Sequence, residues 1–124
     1  MFTTYSAMHP KTEAFEPGLQ ELSLFAKSLA HPARMAIIEL LARRKSCYSG
    51  DIAQELPLQR STVAQHLQEL KKLGLIKGSI EGQYVNYCLN PDVLRHYTQS
   101  LEQWLTQIKL EQSENRIDHN NCWT

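Results

Sequence analysis

The chain has no excess of either charge: 13 Lys and Arg residues face 13 Asp and Glu residues over 124 positions. That balance excludes a histone-like polycation and an acidic disordered tail as descriptions of the whole chain. Long hydrophobic runs are also missing. None approaches the roughly 18 residues that span a bilayer, and the first residues lack the charged-then-apolar order of a secretory leader. The expectation is a cytoplasmic protein with no membrane partner. Cysteine is scarce: Cys47, Cys88 and Cys122 are three and far apart, unlike the even framework of a small secreted disulfide domain. No glycine-rich phosphate loop, nucleophile elbow or pair of carboxylates at helical spacing is present, so an enzyme is not expected. The length suits one domain with one core.

What is present is mostly helical periodicity. Residues 1–16 show no sustained period and contain Pro10, and are expected to form a flexible N-terminal arm. From Pro17, Leu19, Leu22, Phe25, Ala26 and Leu29 recur at three- and four-residue steps, the stripe of an amphipathic helix. Pro32, tolerated only in a first helical turn, should close that helix and open the next. The next carries Met35, Ile37, Ile38, Leu40 and Leu41 and ends on Arg43, Arg44 and Lys45, cations that suit a helix C-terminus. A short amphipathic segment from Gly50 to Leu56 stops at Pro57. A clean helix follows from Ser61, with Val63, Leu67, Leu70 and Leu73 on its core side and Gly74 as its stop. Two short runs, Leu75 to Ile80 and Tyr84 to Leu89, flank a glycine-containing turn and read as a hairpin. Asn90, Pro91 and Asp92 open a last helix bearing Leu94, Tyr97, Leu101, Trp104, Leu105 and Ile108. The expected organisation is a domain over 17–110 and a polar tail over 111–124.

Short helix, turn, longer helix and hairpin make a winged helix-turn-helix: mainly α, with a small β-hairpin wing. If Val63, Leu67 and Leu70 are buried, the second helix leaves Arg60, Ser61, Thr62, Gln65 and His66 outside. Ser, Thr and Gln can meet base edges or phosphates, and an arginine can fork onto either. A merely solvated outer face has the same composition. Bases also gather locally: Lys27, Arg34, Arg43, Arg44 and Lys45 stand against Glu39 alone over 27–45. A phosphate-binding face needs such clustering rather than a global excess.

Two stretches carry a family resemblance. LAHPARMAIIELLARRK resembles the second-helix signature of the ArsR/SmtB repressors, and LPLQRSTVAQHLQELKKLGLIKG resembles their helix-turn-helix and the start of their wing. The resemblance spans about Leu19 to Leu105 and is most specific in STVAQHLQELKKLGLI. It implies a transcriptional repressor that binds double-stranded operator DNA. Ser61, Thr62, Gln65 and His66 would lie on the recognition helix, and Lys77, Gln83 and Tyr84 on the wing. It also implies a homodimer through the first and last helices, which would use Leu19, Leu22, Leu94, Tyr97, Leu101, Trp104, Leu105 and Ile108. Packing within one chain is the alternative for that stripe, but a chain this small has little left to cover it, which favours the dimer.

Members of that family usually release DNA on binding a metal or metalloid, and here the sequence departs from the pattern. The family's Cys-x-Cys pair, aligned on Asp51-Ile52, falls on Tyr48 and Gly50, neither a ligand. The last-helix zinc site is absent too, since residues 91–112 contain only His96 of its histidines. What remains is thiol chemistry. In winged helices the residues before the first short helix can pair with the second wing strand, which would bring Cys47 beside Cys88. With Cys122 as a third thiolate, and His119 near it, the set would suit arsenite, antimonite or a soft divalent metal as effector. The alternatives are a regulator without a metal effector (answering to redox state, another ligand or a partner protein) and, from other classes, a protein-interaction module or a thiol enzyme.

Overall fold

The computed structural model describes residues 12–45, 47–81 and 84–115. After a single 3-10 turn at Thr12–Ala14, the chain forms α1 (Pro17–Leu29) and α2 (Pro32–Arg43). Strand β1 (Cys47–Gly50), a 3-10 turn (Ile52–Gln54) and α3 (Arg60–Lys72) follow. Strands β2 (Ile76–Glu81) and β3 (Tyr84–Leu89) lead into α4 (Pro91–Glu114).

Local chemistry sets these boundaries. Pro17, Pro32 and Pro91 each stand in a first turn, where the missing N–H costs nothing. His31 caps α2 through Nδ1, which accepts the Ala33 N–H at 3.0 Å, and Asn90 caps α4 by accepting from Val93 at 3.4 Å. At the end of α3, Gly74 takes φ +82°. The Gly74 N–H then reaches the Lys71 carbonyl and the Leu75 N–H reaches the Leu70 carbonyl, the paired bonds of a Schellman stop.

The sheet is antiparallel in the order β1-β3-β2, with β3 in the middle. Cys47 faces Cys88 and Tyr48 faces Tyr87 on one side; Lys77 faces Cys88 and Ile80 faces Val85 on the other. Gly78 is required where it stands, at φ +145°, because a Cβ there would run into the backbone carbonyl of Asn86. Around the inner face of this sheet lie Ile37, Leu40 and Leu41 from α2 and Val63, Leu67 and Leu70 from α3, all buried, with Phe25, Ile52 and Tyr87. Helix α4 buries none of its residues fully. Its first half leans on the core through Leu94, Tyr97 and Leu101, Tyr97 stacking on Phe25 with ring centroids 5.1 Å apart.

The winged helix-turn-helix class holds, with three local corrections. Between Gly50 and Leu56 only a 3-10 turn forms, because the few residues before Pro57 cannot repay the cost of nucleating an α-helix. Met35, counted with the apolar residues of the second helix, is 56% exposed. Helix α4 continues to Glu114, past the point where the tail was expected to begin.

Candidate nucleic-acid interface

Helix α3 presents its N-terminal half outward. Arg60, Ser61 and Gln65 are exposed and Thr62 is half-buried. The N-cap Gln59 makes no side-chain cap bond, so its side chain does not occupy the first-turn amides, the groups by which a helix N-terminus can take a phosphate. The wing carries Lys77, exposed, and Tyr84, 55% exposed. Gln83 lies outside the described residues.

Arg60 has a protein partner. Its Nη2 and Nε donate to Oδ2 of Asp51 at 2.7 and 3.3 Å, while Asp51 Oδ1 accepts the Ala53 N–H at 3.2 Å. Asp51 is thus a cap for the 3-10 turn and an anchor for the first residue of α3 at once. The hydrogen bond from Arg60, more than any other influence, holds the Asp51 carboxyl below its usual range. Arg60 keeps 58% of its side chain exposed, so it can still turn a face to DNA. No periodicity or motif signals this pair, nine residues apart across a turn. Lys71 is a second missed contact: its Nζ donates to the Gly78 carbonyl at 2.9 Å and sits over the Tyr87 ring, tying the end of α3 to the wing.

His66 corrects the sequence reading. Expected on the outer face, it is 9% exposed and turned inward. Its ring lies 4.3 Å from that of His31, and its Nδ1 accepts from Arg34 Nε at 3.2 Å. Arg34 Nη1 also donates to the carbonyls of Lys27 and Ser28 at 2.9 and 3.1 Å. One guanidinium therefore joins α1, α2 and α3. Burial first, then the neighbouring His31 and Arg34, push the His66 pKa below its ordinary value.

Cys47 and Cys88 face each other across β1 and β3, Cα atoms 4.0 Å apart, and are joined as a disulfide. Cys47 is exposed and Cys88 half-buried. Cys122 lies outside the described residues, as does His119. Among the described residues no group of three or more His, Cys, Asp or Glu side chains is arranged to hold a metal ion.

The residues expected at a dimer contact divide. Leu94, Tyr97 and Leu101 are half-buried against their own core. Trp104, Leu105 and Ile108 are 40, 40 and 45% exposed, as is Leu19 at 42%. A groove of about 480 Å³ between α1 and α4 is lined by Leu19, Leu22, Leu101 and Trp104, among others.

A polar, outward-facing helix beside an antiparallel wing defines a winged helix-turn-helix DNA-binding protein. A family model described as a helix-turn-helix domain matches residues 29–78. The chain is 33% identical over 91 residues to the HTH-type transcriptional regulator CmtR of Mycobacterium tuberculosis, covering 73% of this chain and 76% of that protein. It is 32% identical over 69 residues to the transcriptional repressor SdpR of Bacillus subtilis, covering 56% of this chain and 76% of the repressor. An ArsR-like transcriptional regulator from Rhodococcus sp. RHA1 shares the fold, with a TM-score of 0.60 at 22% identity over 77% of this chain and 90% of that one. The protein belongs to the ArsR family of DNA-binding transcriptional regulators.

Proposed function

We propose that the protein is a cytoplasmic homodimer that represses transcription by occupying a double-stranded operator and lets go when its reduced Cys47–Cys88 pair takes up a trivalent metalloid. In this reading Ser61 and Gln65 meet base edges, while Arg60 and Lys77 hold phosphates. Tyr84 packs along the backbone at the wing, and Thr62 and Gln83 add polar contacts. The exposed half of the stripe on α4 and Leu19 on α1 meet the same surfaces of a second copy.

The observation that supports the effector is the rung that sets Cys47 directly opposite Cys88. Once reduced, two thiols at that separation fit a soft, three-coordinate centre such as arsenite or antimonite better than a hard cation, which takes oxygen ligands. A bound metalloid would supply a thiolate cross-link, its third ligand coming from Cys122 or from solvent. The chain's own part is mechanical. Cys47 begins the strand that leads into the Asp51 cap, and Cys88 lies in the wing, so spreading the two sulfurs moves both supports of α3.

Arsenite titrated into the complex of reduced protein with operator DNA tests this reading. The wild type should dissociate, and the Cys47→Ser, Cys88→Ser double variant should stay bound. Release of the double variant by arsenite would refute the site, and release of the wild type by zinc or cadmium alone would replace the metalloid with a soft divalent metal.

A further inference from the structure

The disulfide has a particular place in the chain. Cys47 stands four residues after α2 ends at Arg43, and Cys88 stands three before α4 begins at Pro91. The 3-10 turn, the recognition helix α3, β2 and most of β3 all lie between the two cysteines. Helices α1, α2 and α4 lie outside them. The bond therefore ties together the two points where the chain enters and leaves its DNA-reading unit. Lys77 shares the rung: on β2 it faces Cys88, which faces Cys47 on β1. Residues of one antiparallel rung project from the same side of the sheet, and the neighbouring Tyr87 is buried where Lys77 and Cys47 are exposed. The disulfide and a wing cation thus share the outer face.

We propose that Cys47 and Cys88 form a thiol–disulfide exchange site for low-molecular-weight disulfides, and that closing the bond there strengthens the grip on DNA. This inference rests on the operator-binding reading and uses the same thiols as the metalloid response, which it switches off by consuming them.

Exposure orders the steps. The Cys47 thiolate attacks one sulfur of a disulfide RSSR; a Cys47–SR bond forms, the R–S–S–R bond breaks, and RS⁻ leaves and takes up a proton. The Cys88 thiolate then attacks the Cys47 sulfur, forming the Cys47–Cys88 bond and releasing the second RS⁻, which is protonated in turn. In sum two protein thiols are oxidised, one RSSR is reduced to two RSH, and two electrons and two protons change hands. The Lys77 ammonium on the same rung favours the thiolate that carries out the second attack. With the bond closed, the base of the wing and the strand before the Asp51 cap move as one piece. The reading unit then loses less freedom on docking, which is the way pre-organisation raises affinity.

The test uses the full chain carrying Cys122→Ser, so that only two thiols remain. Glutathione disulfide is the oxidant and dithiothreitol the reductant. Mass spectrometry should show the intramolecular bond in the parent and a glutathione adduct on Cys47 in the Cys88→Ser variant. In the Cys47→Ser variant the adduct on Cys88 should form more slowly. Faster capture at Cys88, or no intramolecular bond in the parent, would overturn the exchange site. Duplexes selected from a randomised pool by each redox form then serve as DNA probes. The oxidised form should bind about five- to tenfold more tightly than the reduced form and should ignore arsenite. Equal or weaker binding on oxidation would overturn the inference while leaving the operator reading intact. Failure of both forms to select any duplex would overturn the operator reading and the DNA part of this inference, with the exchange chemistry judged by the mass data.

Discussion

At the scale of single residues, His66 shows how a side chain on the recognition helix can serve the scaffold rather than DNA. Arg34 donates to its Nδ1 and His31 lies against its ring, with Glu69 as the opposing charge. Protonation would remove the acceptor Arg34 uses and add charge to a buried site. The folded-state pKa is depressed, so the unfolded chain binds the proton more readily. The stabilising contribution is then fully present above about pH 6.5, where the unfolded imidazole is neutral, and is lost as pH falls through the lowered folded value. Urea unfolding at a series of pH values should show stability falling from about pH 6.5 downwards. A His66→Gln variant should lose most of that slope; an unchanged slope would place its origin elsewhere. The inward turn of His66 was legible in the sequence after all. Positions 63, 66, 67 and 70 follow the i, i+3, i+4, i+7 rule, and only the polarity of histidine concealed that it completes the stripe. The Asp51–Arg60 pair left no such trace, because its partners are brought together by the path of a turn rather than by a period.

Among elements, the helices were the most legible because each carries its own stripe and its own punctuation: Pro32 divides α1 from α2, and Gly74 stops α3. The short segment before Pro57 was not, since its amphipathic pattern is the same whether it closes one 3-10 turn or the start of an α-helix. Strand β1 has little pattern of its own. Its pairing with β3 follows from the need of backbone groups between α2 and the Asp51 cap to find partners, and the expected Cys47–Cys88 rung is the observed one. Bond formation between the two sulfurs is a further fact that strand pairing alone does not dictate. The Schellman stop offers a direct check at this scale. Gly74 sits at φ +82° with only Val93 near the space a Cβ would fill, so the cost of Gly74→Ala is conformational rather than steric. Destabilisation of about 1–2 kcal/mol is expected from the left-handed backbone, read as a lower denaturant midpoint with an unchanged m-value. A neutral substitution would mean that the turn relaxes to another cap.

For the whole molecule, the fold separates two tasks along the chain. Helices α1, α2 and α4 bracket a unit made of α3 and the wing, and Arg34 and the Cys47–Cys88 bond join bracket to unit. In the proposed dimer a second copy completes the bracket. Trp104, Leu105 and Ile108 leave an apolar strip along the outer half of α4, and the groove beside Leu19 continues it onto α1. Contiguous surface of this kind marks a contact, and a two-fold axis through it would set two α3 helices on one side, about 34 Å apart, facing successive major grooves. The central claim, a dimer that reads an operator with two copies of α3, is tested most directly by guanine-N7 methylation protection on a selected operator duplex. The account predicts two protected major-groove segments related by a dyad and centred about one helical turn apart. A single protected segment without a dyad, or no protected guanine at all, would contradict it.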